Sequence, residues 1–261
     1  MIYETHAHYD DEKFDSDRVE LLSHLLRENN VGTVVNVGAN IEGSKRSIQL
    51  AEQFEDVYAA IGVHPEDVGD LDEDKLNYLR ISAANKKVVA IGEIGLDYYW
   101  VKDEAGQELQ RYWFKRQLDL ALEVGLPVNI HSRDACDDTL NTIKEYNKKG
   151  LLGIIHCFSY SKEVALEYAK MGWYIGVGGV VTFKNGRKLV ETVEAVPISN
   201  IVLETDSPYM APEPHRGSRN SSINIKYVVE KIASIKGISC EEVENITYQN
   251  ALNIYKKSQR G

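Results

Sequence analysis

The chain opens with MIYETHAH, residues 1–8, in which a short apolar run leads directly into a His-x-His pair. Side chains two residues apart in a strand point to the same side, so His6 and His8 can face one ligand together while Ala7 faces away. A lone His-x-His pair also occurs as two ordinary surface or core histidines. Its significance here depends on whether the same pattern returns further along the chain.

The pattern does return, because four later apolar runs also end in a histidine or an acid. These side chains are Glu93, His131, His156 and Asp206. In a parallel barrel all strands end at one face, so the six groups are expected to converge there. Four imidazoles and two carboxylates favour zinc, manganese, iron or nickel over calcium, and with a bridging water they suffice for two ions. The sequence therefore predicts a binuclear metal site and metal-assisted hydrolysis.

Eight apolar, β-branched runs alternate with longer amphipathic stretches. The predicted strands cover residues 2–5, 33–37, 58–63, 88–92, 127–130, 152–155, 173–177 and 201–205. Short continuous apolar runs are typical of strands that are buried on both faces of a parallel sheet. Helical spacing is clearest in 15–30 and 107–124, and a glycine follows the apolar positions of each. We also expect a long loop over 208–222 and two closing helices over 223–257.

Eight strand–helix units in 261 residues predict an α/β fold, a (β/α)8 TIM barrel that forms a single domain over 1–261. A doubly wound open sheet is the alternative. That fold usually has fewer strands and often carries a glycine-rich phosphate loop after the first one. No Gly-x-Gly-x-x-Gly follows residues 2–5, so the barrel is favoured.

Composition limits the function classes. The chain has 30 basic and 40 acidic residues and a formal net charge of −10, which argues against nonspecific coating of nucleic acid but not against gripping one strand end with a few cations. Its three cysteines, Cys136, Cys157 and Cys240, lack Cys-x-x-Cys spacing and indicate neither disulfides nor a thiolate zinc site. Without a signal peptide or an apolar run near ~18 residues, a cytoplasmic location away from membranes is expected.

Six motifs together resemble the TatD family of metal-dependent deoxyribonucleases, within the amidohydrolase superfamily. In chain order they are THAHYD (5–10), GVHP (62–65), GEIGLDY (92–98), HSRD (131–134), HCFS (156–159) and LETDSPY (203–209). Each motif alone is weak evidence. Their order and their spread over essentially the whole chain make the resemblance specific.

The resemblance implies a set of six metal ligands: His6, His8, Glu93, His131, His156 and Asp206. Glu93 is implied to bridge two divalent ions, with zinc, magnesium and manganese as the candidates. The expected reaction is phosphodiester hydrolysis by a metal-activated water, with DNA as the substrate and cleavage near a strand end. Asp206 is expected to accept the proton of that water, so Asp206 and Glu93 are the expected catalytic residues.

Two departures from the family pattern concern the first strand and the loop after the eighth. Glu4 stands where the family usually has an aspartate. In the loop 216–222, the usual basic, acidic and proline residues give way to serines, namely Ser218, Ser221 and Ser222. The ligands are untouched, so the departures bear on how the substrate is held.

Other side chains on the ligand side have supporting roles. We expect three of them to contact the substrate: His64, Arg133 and Arg219. The aromatic residues 98–100 follow Asp97 and either stack on a base or cover the barrel mouth. Glu204 either orients a ligand histidine or makes a core hydrogen bond. Cys157 is expected to be a packed thiol that points away from His156.

Two other functions remain open at this stage. Related binuclear barrels attack esters and amides, so an aminoacyl-tRNA deacylase is the alternative enzyme, mildly favoured by the acidic net charge. A non-catalytic partner protein with a vestigial site is the third possibility, against which the six intact ligands argue. No obligate protein partner is inferred.

Overall fold

The computed structural model describes residues 1–258, in which eight parallel strands close into one barrel in chain order. The strands are Ile2–Ala7 (β1), Val31–Val37 (β2), Val57–Ile61 (β3), Val88–Asp97 (β4), Val128–Arg133 (β5), Gly153–Ile155 (β6), Tyr174–Val177 (β7) and Ile201–Leu203 (β8). β8 pairs in parallel with β1, so the sheet has no free edge. The predicted (β/α)8 barrel in a single domain is confirmed, and the open sheet is excluded.

Within residues 1–258, seven helices connect successive strands around the outside of the barrel, and two more follow β8. They are Arg18–Glu28 (α1), Ile41–Gln53 (α2), Glu73–Ser82 (α3), Glu104–Val124 (α4), Cys136–Asn147 (α5), Lys162–Lys170 (α6), Arg187–Ala195 (α7), Ile225–Lys236 (α8) and Cys240–Ile254 (α9). The long loop and the two closing helices lie where they were predicted. Within residues 1–258, none of the helices has both the length and the apolar character needed to cross a membrane.

Local sequence accounts for the helix ends. The side chain of Asp103 accepts a hydrogen bond from the backbone of Gly106 at the start of α4, and Gly125 ends that helix in the left-handed region with φ 67°. The predicted helix over 15–30 is shorter in the structure. Its first residues are preceded by a 3-10 turn, Glu12–Phe14, which buries the Phe14 ring.

The core divides into an outer layer and a barrel interior. The outer layer joins the strands to the surrounding helices and contains most of the buried apolar side chains. The interior is filled by side chains from strands around the barrel, including Val35, Ala60, Val89 and Val202, and it also takes in Tyr255 after α9. The filled interior leaves the polar side chains at the other end of the strands to form the site.

β4 is the main difference from the sequence prediction. It was expected to end at Gly92 but runs to Asp97, so Glu93 lies within the strand. The pairing with β5 shifts register between Ile91 and Ile94. Gly95, with φ 151°, makes the remaining pairing possible, because a Cβ there would lie 1.9 Å from the carbonyl oxygen of His131.

Candidate metal centre

Four of the predicted ligands, which come from β1 and β4 and from the segments after β1 and β8, meet on the same side of the barrel. The Nε2 atoms of His6 and His8 lie 3.1 Å apart. Glu93 Oε2 is 3.5 Å from His6 Nε2 and 3.7 Å from His8 Nε2. Asp206 Oδ1 is 3.4 Å from His8 Nε2. The nitrogen and oxygen donors of these residues therefore face one small volume.

The second carboxylate oxygen of Glu93 faces a different set of histidines. Its Oε1 lies 2.9 Å from His131 Nδ1, 3.5 Å from His156 Nε2 and 3.7 Å from His64 Nε2. Glu93 is 4% exposed, so the histidines and not solvent compensate its charge. The carboxylate stands between two groups of imidazoles, one for each oxygen.

The donor atoms are spaced closely enough to share an ion. Three groups have donors that all lie within 4.8 Å of one another: His6–His156–Asp206, His6–His8–Glu93 and His64–Glu93–His131. Buried imidazole nitrogens that face each other and face carboxylates are the ligand chemistry of divalent transition metals. The residues present therefore fit divalent metal binding.

Both carboxylates stay ionised in this setting. Burial raises the pKa of Glu93, but the charges of nearby histidines, His156 foremost, outweigh burial and hold the pKa well below its usual range. Burial likewise opposes ionisation of Asp206, but the hydrogen bond with His8 and the charges of His156, His8 and His6 together outweigh it and lower the pKa. The centre therefore offers two negative charges that a cation can neutralise.

The histidines of the second group differ in their protonation. Burial lowers the pKa of His131, but hydrogen bonds with Asp97 and Glu93 outweigh it and raise the pKa to about 9. Burial lowers the pKa of His64 to about 4, so His64 is neutral at pH 7. A cation bound at His131 would have to displace the extra proton of the charged ring, whereas the neutral ring of His64 carries no such proton.

Asp97 orients the ring of His131. Its Oδ2 lies 2.9 Å from His131 Nε2, on the side of the ring opposite Glu93. Its Oδ1 accepts hydrogen bonds from the backbone N–H groups of Tyr99 and Trp100, at 2.9 and 3.0 Å. Asp97 therefore also supports the start of the loop after β4. Its contact with His131 was missed, although the two residues lie on β4 and β5, which are neighbours in the barrel.

Glu204 fulfils both roles considered for it. Its Oε1 lies 3.3 Å from His156 Nδ1 and accepts a hydrogen bond of 2.6 Å from the backbone of Cys157. Gly176 on β7 leaves room for this carboxylate, since a Cβ there would lie 2.3 Å from Glu204 Oε2. Such buried partners fix the orientation of a ligand histidine.

Tight turns at the strand ends direct side chains into the site. Cys157 and Asp206 have φ values of 43° and 58°, in the left-handed region that few residues other than glycine adopt. Cys157, which was expected to be a packed thiol, is among the residues that line the cavity beside His156. The alternation rule applies to an extended strand and fails one residue beyond its end.

A cavity of about 770 Å³ opens above the cluster and includes His64 and Arg133 in its wall. Arg46, on α2, lines it too and was missed because nothing in the sequence marks that helix as part of the mouth. Arg219 is absent from the lining. Its guanidinium makes a two-pronged ion pair with Asp17, at 2.8 and 2.5 Å, which holds it elsewhere.

The two departures from the family pattern contact each other. Glu4 is fully buried, and its Oε2 accepts a hydrogen bond of 2.9 Å from the Ser222 hydroxyl. Its Oε1 accepts from the backbone of Thr205 at 2.8 Å. Tyr9 completes the network through its hydroxyl, 2.8 Å from Ser222 Oγ. The longer acid on β1 and the serine of the loop therefore form one unit beneath the metal centre.

Comparison with known proteins agrees with this geometry. The family model described as TatD related DNase matches residues 3–256. An uncharacterized metal-dependent hydrolase of Bacillus subtilis (strain 168), YabD, is 41% identical over 256 residues, covering 98% of this chain and 99% of its own length. YcfH of Escherichia coli (strain K12), described in the same words, is 31% identical over 257 residues, covering 98% and 96%.

Among solved structures, the TatD homologue YJJV of Escherichia coli K12 matches with a TM-score of 0.91 at 28% identity, covering 98% of each chain. A parallel barrel with histidines and carboxylates clustered at the ends of its strands defines a metal-dependent hydrolase. The family match over nearly the whole chain narrows the class further. The chain belongs to the TatD family.

Proposed function

We propose that the protein hydrolyses phosphodiester bonds in DNA near strand ends, using two divalent ions. The ligands of this proposal are His6, His8, Glu93, His131, His156 and Asp206. The observation that carries it is the arrangement at Glu93, whose two carboxylate oxygens face separate groups of histidines. A carboxylate in that position suits a bridge between two ions. Zinc, magnesium and manganese are the candidates.

Bound divalent ions would supply Lewis-acid activation of the phosphodiester and a water of lowered pKa. Asp206 takes the role of proton acceptor, because its carboxylate is ionised and lies at the cavity wall. Asp97 and Glu204 hold the rings of His131 and His156 in fixed orientations. These fixed groups are what this chain contributes to the reaction.

Substrate contacts in this proposal come from His64 and Arg133. His64 is neutral and faces Glu93 from the loop after β3, so its ring N–H can donate a hydrogen bond to a phosphate oxygen. Arg133 lines the cavity, and its planar guanidinium suits phosphate oxygens. Arg219 is left out of the proposal because Asp17 already engages its guanidinium.

The proposal also covers the domain organisation and the location of the protein. Residues 1–261 form one hydrolase barrel of this family, which the family match over 3–256 supports. The location is the cytoplasm, which the three free cysteines support, since none forms a disulfide in residues 1–258.

Replacing Asp206 with asparagine tests the proposed base. The Asp206→Asn variant keeps the size of the side chain but loses the proton acceptor, so turnover is expected to fall by about 10²–10⁴-fold with the fold and metal content retained. The checks are circular dichroism, metal analysis and the rate of nucleotide release. Nuclease activity equal to that of the wild type, with metal bound, would contradict the role of Asp206.

The substrate class needs a direct comparison. Single-stranded DNA labelled at its 3′ or 5′ end and aminoacyl esters are assayed side by side with magnesium, manganese and zinc. The proposal expects metal-dependent release of nucleotides from one labelled end. Hydrolysis of the esters alone would instead favour the deacylase, for which the net charge of −10 is the supporting observation.

A further inference from the structure

Exposed apolar side chains gather at the mouth of the metal centre. Trp100 is 61% exposed, and Tyr99, Tyr209 and Met210 are 42%, 45% and 45% exposed. Trp100, Tyr209 and Met210 all line the cavity that contains Glu93. A soluble enzyme keeps large apolar side chains in water at such a position when they contact a ligand.

These side chains belong to two opposite walls. Trp100 follows β4, and Tyr209 and Met210 follow β8. β4 and β8 are four strands apart in a closed ring of eight, so the loops that follow them rise on opposite sides of the mouth. The metal centre lies between the two walls, since β4 and β8 also carry or precede Glu93 and Asp206.

The β4 wall is tied to the metal centre by hydrogen bonds. Asp97 accepts from the backbone of Trp100 at 3.0 Å while its other oxygen contacts His131. The ring of Tyr99 lies edge-on to Trp100, with centroids 4.8 Å apart. The guanidinium of Arg133 lies over the ring of Tyr99, 3.8 Å from its centroid. The backbone at Trp100 is therefore held through Asp97 beside His131.

The β8 wall is fixed by different contacts. The Tyr209 hydroxyl donates to Asp11 Oδ2 at 2.9 Å, and the ammonium of Lys13 lies 4.3 Å from the centre of its ring. The backbone carbonyl oxygen of Tyr209 accepts a hydrogen bond from the Asn220 side chain at 2.8 Å. A ring that is already held in place loses little conformational entropy when a ligand stacks on it.

Charge at the mouth is poorly suited to gripping a phosphate backbone. Arg46 and Arg133 are the only lysine or arginine side chains in the cavity lining among residues 1–258. Arg46 lies 3.6 Å from the carboxylate of Asp10. Asp11 and Glu66 also line the cavity and add negative charge to it. Beside the proposed ions, few side-chain cations are available to the phosphates, so contacts with the bases are a further source of affinity.

We infer that Trp100 on one wall and Tyr209 with Met210 on the other are stacking platforms for the bases on either side of the cleaved bond. This inference rests on the proposed function and states which features of the nucleic acid the site would select. Aromatic rings stack on any base, so the platforms tolerate different sequences. They require each flanking base to be unpaired, because a base inside a duplex already stacks on its neighbours.

The test is a cycle that crosses enzyme variants with substrates. Wild type and Trp100→Ala are assayed on a single-stranded oligonucleotide and on versions with an abasic site on either side of the mapped cleavage position. Trp100→Ala and the abasic site facing it are each expected to lower kcat/KM by about 5- to 150-fold. Combined, they lose little more than either does alone, because both remove the same contact.

Matched variants separate stacking from other effects. Trp100→Phe and Tyr209→Phe keep a ring and are expected to retain most of the activity. Tyr209→Ala is expected to lower kcat/KM, as does the abasic site at the flanking base opposite the one that faces Trp100. Leu152→Ala removes a side chain that is 40% exposed and absent from the cavity lining, and it serves as the control. Multiplicative losses from Trp100→Ala and the abasic sites would overturn the inference.

A binding measurement distinguishes failure of this inference from failure of the proposed function. A fluorescein-labelled phosphorothioate oligonucleotide, which resists turnover, is titrated with the metal-loaded protein and followed by anisotropy. Binding that weakens in Trp100→Ala supports the platforms even if no DNA is cleaved. Cleavage with binding that is unaffected by Trp100→Ala and Tyr209→Ala overturns the platforms and leaves the nuclease proposal intact. If neither binding nor cleavage is observed, both the platforms and the nuclease proposal are overturned.

Discussion

At the residue scale, the site depends on one carboxylate. Glu93 is buried, yet it stays ionised because histidines from several strands surround it. Two of its partners, His131 and His156, are in turn held by the acids Asp97 and Glu204. A buried negative charge of this kind is costly unless it is fully compensated. Without a cation the surrounding histidines supply that compensation, and a bound divalent ion would take over this role, which is the physical reason to expect metal here.

The contact between Glu4 and Ser222 gives a prediction of its own. Glu4→Asp shortens the side chain by one methylene, so it no longer reaches Ser222, and a buried hydrogen-bonding group is left unpaired. The free energy of unfolding is expected to fall by about 1–3 kcal/mol. Chemical denaturation with urea measures the change.

Glu4→Gln is the matched control for this prediction. Burial raises the pKa of Glu4 to about 8, so its charge is disfavoured and a neutral amide of equal length costs less than the shorter acid. Combining Glu4→Asp with Ser222→Ala should cost less than the sum of the two single changes. Strict additivity, or wild-type stability in Glu4→Asp, would contradict the contact.

At the element scale, the strand ends decide which side chains reach the site. β4 continues past Glu93 because Gly95 lets it approach β5, where it pairs with His131. Gly95→Ala would push a Cβ into the His131 carbonyl and separate the two strands. We expect a loss of at least about 1–3 kcal/mol in the free energy of unfolding and weaker metal retention, measured by thermal denaturation and metal analysis.

A second glycine provides the comparison. Gly69 has open space around the position of a Cβ and no positive φ, so Gly69→Ala should leave both stability and metal content close to wild type. Equal behaviour of Gly95→Ala and Gly69→Ala would show that the close approach of β4 and β5 does not constrain the site.

The sequence patterns predicted which strands form better than they predicted the residues at which the strands end. The eight strands were placed by their apolar runs, since burial on both faces demands such runs. The end of β4 was missed because Glu93 and Gly95 look like a loop until the surrounding histidines and the adjacent strand are known. The left-handed turn at Cys157 after β6 was also missed, because strand alternation does not extend past the end of a strand.

At the scale of the whole molecule, the site joins ligands that are as far apart in sequence as His6 and Asp206. The sequence predicted their convergence because parallel strands in a barrel share one end. It could not predict pairings between loops. Arg219 is engaged by Asp17 and Glu4 by Ser222, and neither contact follows from strand periodicity.

Metal removal should destabilise the entire barrel, because the ligands link strands around the closed sheet. With metal at about 100 times its dissociation constant, binding stabilises the folded state by about 2.7 kcal/mol. Chelation is then expected to lower Tm by about 5–10 °C, and added metal to restore it. Glu93→Gln should respond much less. An unchanged Tm for the wild type would contradict this linkage.

The most direct test of the central claim is an anomalous difference map from crystals grown with manganese or zinc. Two peaks are predicted, one beside each carboxylate oxygen of Glu93. One should be contacted by His6 and His8, and the other by His131. A single peak, or peaks away from Glu93, would contradict the binuclear centre on which the proposed hydrolysis rests.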